Sequence, residues 1–383
     1  MAGFGKKKRI IRTDLPGATE AVAITDILSA RIAQGHYLAG DPLPSERALA
    51  TEFAVDRSVV RISISQLERR RLVYRNRGCR PRVGQPVGTE LPGQPVRSKS
   101  RRNEIAVLLS YNTTYPAAIN ISQGINEFLR FKEAPFRAHV FDTCGLTLET
   151  QALDALEADK FAGIVVWHSG DSGTLARLAR LHDKGAPLVF VDRYTPDIDC
   201  DFVGTDNQGS AFDAVKYLID LGHRRIAHLT SDESVSSVVL RSQGYREALF
   251  AEGISFDPSL VLQPDLWDVA DAVASLLNLP EPPTAIFAMN DAYAHAIITA
   301  VEAMGLQVPG DISVMGFDDL ERYSPRPALL TTVHQPFCRI GQRAADLLIQ
   351  RLSTRSRTMT YRHILLHAPV VVRSTCRQIN GAS

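Results

Sequence analysis

The chain has 383 residues, of which 45% are hydrophobic and 22% charged, a composition typical of soluble globular proteins with two or three domains. Its basic N-terminus is not followed by an apolar run, and no stretch approaches the ~18 apolar residues of a membrane span, so the sequence predicts neither a secretory signal nor a membrane protein. The five cysteines form no Cys-x-x-Cys pair, which predicts no metal site or disulfide framework and favours the reducing cytoplasm.

Charge is distributed unequally along the chain. Residues 1–102 contain 20 Lys and Arg against 9 Asp and Glu, a net charge of +11, whereas residues 103–383 contain 23 against 33, a net of −10. A basic segment joined to an acidic one fits a domain that binds a polyanion, although such an asymmetry can also serve only to solvate a surface. We therefore predict a disordered basic tail, a DNA-binding domain, a linker and a large second domain, over residues 1–17, 18–84, 85–102 and 103–378.

Three helices are predicted in the basic segment. Apolar residues at helical spacing indicate a first helix over residues 19–33. Ser45 is placed to cap a second helix that extends to about Phe53, and Asp56 is placed to cap a third helix that extends to about Arg70. The short break between the second and third helices is typical of a helix-turn-helix.

The third helix has one apolar and one polar face. Val60, Ile64 and Leu67 share the face that should pack on the other helices. Arg61 points away from that face, and Arg57 lies at its edge near the start of the helix. Recognition helices use their first turns in this way, because their N-terminal residues reach base edges and phosphates in the major groove.

A basic hairpin is predicted after the third helix. The segment VYRNRGCRPRVG, residues 73–84, places two short extended pieces on either side of Gly78. Its arginines at positions 75, 77, 80 and 82 are either phosphate contacts or solvated charges. The pattern is typical of the wing of a winged helix-turn-helix, whose basic tip reaches phosphates or the minor groove.

Residues 35–47, GHYLAGDPLPSER, resemble the signature motif of the winged helix-turn-helix of the GntR family of bacterial regulators. The resemblance covers about residues 19–84. It departs from the family pattern at Asp56, where Ser or Thr is preferred, and at the wing tip, where Gly-Cys-Arg replaces Gly-x-Gly. It implies that this domain binds double-stranded DNA. By this resemblance Arg47, Arg57, Ser58, Arg61 and Gly78 match the family's DNA contacts. Together with Ser45, Arg77 and Arg80 they are the predicted DNA-binding residues.

The large second domain is predicted to be an α/β fold of two parallel sheets. The linker before it is rich in Pro, Gly and charge, which argues against a helix there. Short apolar runs then alternate with helical stretches, an order that favours parallel strands with helices on both faces. The pattern of four strands occurs twice, which indicates two lobes, and ligands of such sheets bind beyond the carboxyl ends of the strands. The predicted strands are IAVLLS, FRAHVFD, GIVVWHS, PLVFVD, FVG, RIAHLT, TAIFAM and ISVMGF.

Several segments of this domain resemble, in order, the effector-binding domain of the lactose-repressor family, itself similar to periplasmic sugar-binding proteins. They include FVGTDNQGSAFDAVKYLIDLGHRRIAHLT, RSQGYREAL, AIFAMNDAYAHAIITAVEAMGLQVPGDISVMGFDD and LLTTVHQPFCRIGQRAADLL. The resemblance covers about residues 104–375. It implies one lobe formed by residues 103–192 and 319–333, and a second lobe formed by residues 193–318 and 334–378.

The same resemblance places polar residues and one aromatic residue in a cleft between the lobes. Arginine, aspartate and asparagine offer the planar donors and acceptors that a polyol needs, and an aromatic face can stack on it. Each residue also has a structural alternative: the aspartates and the asparagine could be caps or turn residues, Arg241 a surface ion pair, and Trp267 a half-buried core residue. The predicted effector-binding residues are Ser110, Tyr111, Asp192, Ser237, Arg241, Trp267, Asn290 and Asp318.

Together the two domains predict a cytoplasmic, ligand-responsive, sequence-specific DNA-binding transcription regulator, a layout that resembles bacterial arabinose repressors. The expected partners are an operator in double-stranded DNA, a small polar effector such as a sugar, and a second copy of the chain in a homodimer, with no cofactor, metal or membrane. A sugar receptor that binds no DNA, and a regulator that uses its ligand as a corepressor, are the alternatives. An enzyme is not predicted, because the sequence has no Gly-rich phosphate loop, no His-Glu-x-x-His and no Gly-x-Ser-x-Gly motif.

Overall fold

The computed structural model divides the chain into two compact units, Met1–Val96 and Arg97–Ser383, called here the head and the body. None of the helices in the described part of the chain combines the length and the apolar character that a membrane span requires. The residues that the structure describes are 18–33, 37, 43–53, 55–69, 72–74, 81–83, 100–109, 115–141, 143, 146–231, 235–324, 327–353 and 360–379.

The head contains the three helices and the hairpin that its sequence predicts. The hydroxyl oxygen of Ser45 accepts a hydrogen bond from the backbone N–H of Ala48 at 3.1 Å, so the predicted cap of the second helix is confirmed. The two strands pair antiparallel, with Val73 opposite Val83. The elements of the head are α1 (Ala18–Ala33), α2 (Glu46–Phe53), α3 (Arg57–Arg69), β1 (Val73–Tyr74) and β2 (Arg82–Val83).

One apolar core holds the helices of the head together. Val60, Ile64 and Leu67 of α3 are fully buried, as their spacing predicts, and they pack with Leu28 of α1 and Leu49 of α2. Since this face of α3 is buried, the face that carries its arginines is turned outward.

The body alternates strands and helices along its length. Its elements in chain order are β3 (Ser100–Leu109), α4 (Pro116–Phe131), β4 (Arg137–Phe141), α5 (Leu146–Ala158), β5 (Lys160–Trp167), α6 (Ser172–Asp183), β6 (Leu188–Val191), β7 (Asp201–Thr205), α7 (Asn207–Asp220), β8 (Ile226–Leu229), α8 (Ser236–Ala251), β9 (Val261–Leu262), α9 (Val269–Leu277), β10 (Ala285–Ala288), α10 (Asp291–Ala303), β11 (Ser313–Asp318), β12 (Thr331–His334), α11 (Phe337–Ser353), β13 (His363–Leu366) and β14 (Val370–Val371).

Two six-stranded sheets form the two lobes of the body. In lobe 1 the strand order is β13-β7-β6-β5-β3-β4, and the described pairs are parallel. In lobe 2 the order is β14-β12-β11-β10-β8-β9, parallel except for the antiparallel pair of β12 and β14. Separate apolar clusters lie between the sheets and the helices that cover them. The predicted α/β fold of two parallel sheets is confirmed.

The predicted division of the chain between the lobes is wrong. Strand β7, expected to open the second lobe, pairs with β6 and β13 in lobe 1. Residues 319–333 were expected in the first lobe, but they lead into strand β12, which was not predicted and belongs to the sheet of lobe 2. The chain then returns to lobe 1 for α11 and β13. The reason is that a short strand buried on both faces has the same continuous apolar sequence in either sheet, so the sequence does not indicate which sheet the strand joins. Strand β3 also begins at Ser100, inside the segment predicted as linker.

Candidate ligand cleft and nucleic-acid interface

The exposed surface of α3 brings two of the predicted DNA-binding arginines together. Arg57 and Arg61 have 58% and 62% of their side chains exposed, and both approach the same carboxylate oxygen of Glu46, at 3.7 and 2.9 Å. Arg47, also exposed, stands beside Glu46 in the first turn of α2. Glu46 therefore orients two arginines, one turn apart, on the outer face of α3.

The remaining DNA-binding candidates have other outcomes. Ser45 serves as the cap of α2 described above. Ser58 lies on α3, but its side chain is outside the described residues. Arg77, Gly78 and Arg80 lie outside them as well, so the wing tip stays a prediction.

In the body, the carboxyl ends of β6 and β11 bring charged residues from the two lobes close together. Asp192 follows β6 in lobe 1, and Asp318 ends β11 in lobe 2. Two residues after Asp192, the backbone N–H of Tyr194 donates a hydrogen bond at 3.0 Å to Ser236 Oγ at the start of α8, so this edge of lobe 1 lies against lobe 2. The space between these edges is called the cleft below.

Arg241 of α8 is the most densely bonded residue at the cleft, with only 6% of its surface exposed. Its Nε donates a hydrogen bond to Asn207 Oδ1 at 2.8 Å, and its Nη1 donates to the carbonyl oxygen of Met289 at 2.5 Å. Its Nη2 lies 3.7 Å from Asp318 Oδ1, and its guanidinium carbon lies 3.8 Å above the ring centre of Phe317. Arg241 is therefore a buried hub between three elements of lobe 2, and the surface ion pair considered for it is wrong.

A hydrogen-bonded chain joins Asp318 to lobe 1. Gln335 Nε2 donates to Asp318 Oδ1 at 2.6 Å, and Gln335 Oε1 accepts from Thr205 Oγ1 at 2.6 Å. Thr205 ends β7 and Gln335 follows β12, so both stand where the chain crosses between the lobes. A group that binds Asp318 is thus connected to two of the crossings by two hydrogen bonds.

Sequence reasoning missed Gln335, Thr205 and Asn207. All three lie inside the segments FVGTDNQGSAFDAV and LLTTVHQPF, whose family resemblance was the available signal. Their residue types alone do not indicate a ligand site, since Gln, Thr and Asn are common in turns and at helix starts.

A second arginine–aspartate pair lies at the lobe 1 edge. Arg193 Nε is 3.4 Å from Asp192 Oδ2, and the guanidinium of Arg193 lies 5.7 Å from the ring centre of Trp167. The cleft therefore has one such pair on each side, and both pairs offer planar donors and acceptors.

Backbone strain is found at Asp192 and Asp318, and also at Asp319, the residue that follows β11. Asp192, Asp318 and Asp319 have φ angles of 67°, 130° and 62°, in the region that disfavours residues with a side chain. Strained backbone persists where the surrounding structure enforces it, most often at binding and catalytic sites. Here it turns the chain sharply at the ends of β6 and β11 and leaves both carboxylates at the cleft.

The other predicted effector-binding residues are placed as follows. Asn290 caps α10, because its Oδ1 accepts a hydrogen bond from Tyr293 N at 3.0 Å. Ser237 lies in the first turn of α8 and is buried. Trp267 follows β9 and is 92% exposed, so the half-buried core position considered for it is wrong. Ser110 and Tyr111 lie outside the described residues.

Two carboxyl groups near the cleft are buried within reach of each other. Burial raises the pKa of Asp291 to about 8, with a further increase from the charge of Asp318, against the lowering effect of hydrogen bonds from Thr332 and Leu320 N. Burial also raises the pKa of Asp318 to about 6, because it outweighs the lowering effects of Arg241 and Gln335. The hydrogen-bond and charge partners of the two carboxyl groups therefore offset only part of the free-energy cost of burying their ionised forms.

Replacing Asp291 with asparagine is expected to make the stability of the body less dependent on pH. A carboxyl whose folded pKa is raised holds a proton that the unfolded chain has released, so its stabilising contribution is complete below pH ~4 and is lost as the pH rises to about 8. The Thr332 hydroxyl can turn to accept from the new amide. Urea unfolding, followed by the fluorescence of Trp167 and Trp267, measures the free energy of unfolding at pH 5 and pH 8. This free energy should decrease less between the two pH values in the variant than in the wild type.

Asp311→Asn is the control for this comparison, because Asp311 is exposed and, among the described residues, its side chain accepts a hydrogen bond only from the nearby Gln307 N–H, at 2.8 Å. If the free energy of unfolding decreases equally between pH 5 and pH 8 in the wild type and in Asp291→Asn, the raised pKa of Asp291 is contradicted.

Comparisons with known proteins agree with both units. Residues 20–83 match the family model described as bacterial regulatory proteins, gntR family, and residues 215–376 match a periplasmic binding protein-like domain. The repressor CytR of Escherichia coli (strain K12) is 38% identical over 170 residues, 43% of this chain and 49% of that protein. The match therefore spans about half the length of that relative. The arabinose metabolism transcriptional repressor of Geobacillus stearothermophilus is 26% identical over 361 residues, 91% of this chain and 95% of that protein.

Solved structures of transcription regulators share the fold. The complex of the transcriptional regulator CelR with cellobiose has a TM-score of 0.62 and 24% identity, and it covers 93% of this chain and 98% of that chain. The transcription regulator CcpA of Lactococcus lactis has a TM-score of 0.63 and 21% identity, covering 72% and 99% of the two chains.

Proposed function

Because the chain joins a helix-turn-helix domain of the GntR family to a periplasmic-binding-protein-like domain, we propose that it is a transcription repressor whose hold on DNA is controlled by a small polar ligand. The observation that carries this proposal is the hydrogen-bonded chain Asp318–Gln335–Thr205, since it connects a predicted ligand-binding carboxylate to the crossings between the lobes. The relatives compared above are regulators, which supports a binding role rather than catalysis.

The DNA-binding part of the proposal rests on the outer face of α3. Arg57 and Arg61 are exposed, share the Glu46 carboxylate and stand in the first two turns of the helix. A guanidinium presents parallel N–H donors that suit both phosphates and the O6 and N7 atoms of guanine. We assign this face to the major groove of an operator, with the wing residues Arg77 and Arg80 on the flanking backbone.

The ligand part rests on the chemistry of the cleft. The pairs Asp192–Arg193 and Asp318–Arg241 offer donors and acceptors from opposite lobes, and Trp267 offers an exposed aromatic face. Such a set suits a neutral molecule with many hydroxyl groups. The names of two compared proteins, an arabinose metabolism repressor and a cellobiose complex, support a sugar or a related compound. We further propose that the chain acts in the cytoplasm as a homodimer, which would present two heads to an operator with inverted repeats.

Replacing Arg57 or Arg61 with alanine is expected to weaken specific operator binding by about 1–3 kcal/mol each, because each removes a charged donor from the recognition helix. Both side chains are mostly exposed, so the fold of the head should not change. The measurement is a gel-shift titration on duplexes selected from a random pool by the wild-type protein. Arg31→Ala is the control, since it removes the same charge from α1, where Arg31 is paired with Glu52 at 2.6 Å. If both α3 variants bind the operator with wild-type affinity, Arg57 and Arg61 do not contact DNA.

Coupling between the two sites decides between an inducer and a corepressor. A ligand can shift DNA binding only if its affinity differs between the DNA-bound and free states, and the effect must be reciprocal. The experiment is to titrate L-arabinose, and separately cellobiose, into the full chain with and without the selected operator. A sugar affinity that falls in the presence of operator supports release by an inducer, and one that rises supports the corepressor alternative. Failure of the chain to bind any selected duplex, with sugar binding intact, would favour a receptor that binds no DNA.

A further inference from the structure

An apolar side chain is exposed on the charged outer face of α3. Ile62 directly follows Arg61 and has 45% of its surface exposed. Among the described residues of the head, Ile27 of α1, at 42%, is the other large apolar side chain exposed to this extent. The two isoleucines differ in their surroundings, because only Ile62 stands on the helix that carries the predicted DNA-binding arginines.

The helical repeat keeps Ile62 out of the core of the head. The inner face of α3 is filled by residues spaced three and four apart, from Val60 to Leu67. Ile62 lies three residues before Ser65, which is exposed, and Arg61 lies four residues before it. Side chains at these spacings are neighbours on a helix surface. A partner that covers Ile62 must therefore approach the outer face of α3.

The charges on this face indicate the kind of partner. Arg57 and Arg61 are exposed and share the Glu46 carboxylate. A purely apolar partner would leave these guanidinium groups desolvated without acceptors, which is costly. The major groove of DNA offers both kinds of group side by side: acceptors on guanine, which a guanidinium binds, and the C5-methyl group of thymine, which is apolar.

The direction and stiffness of the side chain suit such a contact. Ile62 lies in the second turn of α3, and side chains on a helix lean toward its N-terminus. The N-terminal residues of a recognition helix are the ones that reach base edges. Isoleucine is branched at Cβ and has essentially one χ1 rotamer in a helix, so it loses little conformational freedom when it packs on a methyl group.

We propose that Ile62 is a specificity-determining residue of the head, whose side chain packs on the C5-methyl group of a thymine in the operator. This assignment rests on the proposed function, since it requires α3 to lie in the major groove. It adds a base preference to that function: the arginines favour guanine, and Ile62 favours thymine over cytosine, which has no methyl group at C5.

The test removes single methyl groups from the DNA. The wild-type full chain first selects an operator from a random pool of duplexes. Each thymine of that operator is then replaced, one at a time, by deoxyuridine, which forms the same base pair and lacks only the C5-methyl group. Gel-shift titrations compare the wild type, Ile62→Ala and the control Ile27→Ala, which is the same change at a similarly exposed position of α1. Thermal unfolding is measured for all three proteins.

The expected result is a loss that the two changes share. Deoxyuridine should weaken wild-type binding by about fourfold at one or more thymine positions, the effect of one methyl-sized group that is no longer buried. Ile62→Ala should bind the unmodified operator more weakly than the wild type and should lose nothing further at those positions, because the contact is already absent. Ile27→Ala should bind as the wild type does. Neither variant should unfold at a lower temperature, since both side chains are exposed.

Three results would overturn the assignment. A wild type that binds equally well with deoxyuridine at every position contacts no thymine methyl group. If Ile62→Ala keeps the wild-type sensitivity to deoxyuridine, another residue makes the contact. If Ile62→Ala unfolds at a lower temperature, its side chain packs within the head. In each of these cases the proposed function stands, whereas a wild type that selects no duplex from the pool would overturn the proposed DNA binding itself.

Discussion

Replacing Arg241 with methionine is expected to lower the free energy of unfolding of the body by about 3–5 kcal/mol and to abolish ligand binding. The guanidinium is buried and holds Asn207, the Met289 carbonyl and Asp318 together. Methionine fills much of the same volume, but it leaves the buried Asp318 carboxylate without its positive partner and two acceptors without their donor. Asp318 should respond by holding its proton to a higher pH than in the wild type.

Urea unfolding and calorimetric sugar titration would measure these two effects. Arg241→Lys should recover only part of the loss, because an ammonium cannot reach three acceptors in different directions or lie flat on Phe317. Arg180→Met is the matched control: Arg180 forms an ion pair with Glu157 at 3.3 Å, but its side chain is 51% exposed, so the change should cost less than about 1 kcal/mol. If the free energy of unfolding falls no more in Arg241→Met than in Arg180→Met, the contacts of Arg241 contribute little to stability.

Replacing Gly244 with alanine is expected to destabilise lobe 2 by about 2–3 kcal/mol and to weaken ligand binding. Helices α7 and α8 pack so closely at this point that an added Cβ would lie 2.2 Å from the carbonyl oxygen of Gln208. A backbone atom inside a helix cannot move out of the way as a flexible side chain can, so the two helices must separate. Asn207 and Arg241 stand on these same helices, and their 2.8 Å hydrogen bond should lengthen as a result.

The same substitution elsewhere separates this packing effect from helix propensity. Gly173 also lies in a helix, but the nearest atoms to an added Cβ belong to the side chains of Asp171, at 3.0 Å, and Arg177, at 3.6 Å. Alanine favours a helix over glycine by about 1 kcal/mol, so Gly173→Ala should be neutral or slightly stabilising. Similar unfolding midpoints for Gly173→Ala and Gly244→Ala would contradict close packing of α7 on α8.

The sequence by itself determined the local elements of this protein and much of its candidate sites. The cap at Ser45, the buried face of Val60, Ile64 and Leu67, and the outward arginines of α3 follow from spacing within one or two turns of helix. Apolar runs bounded by turn residues located eight strands of the two sheets, β3–β8, β10 and β11, but not β9, β12, β13 or β14. The residue types at positions 241 and 318 indicated a polar cleft, and the structure places their side chains 3.7 Å apart.

The tertiary structure alone decided which elements meet. Thr205 and Gln335 are 130 residues apart in the chain, yet their side chains share a hydrogen bond. Strand β7 pairs with β6 in the sheet of lobe 1, although its apolar sequence is compatible with either lobe. The raised pKa of Asp291 likewise depends first on its burial and then on the charge of Asp318, and both arise only when α10 packs against the sheet of lobe 2. Periodicity and capping act over a few residues, whereas strand partners, burial and the pairing of charges depend on contacts between distant segments that form only when the whole body packs.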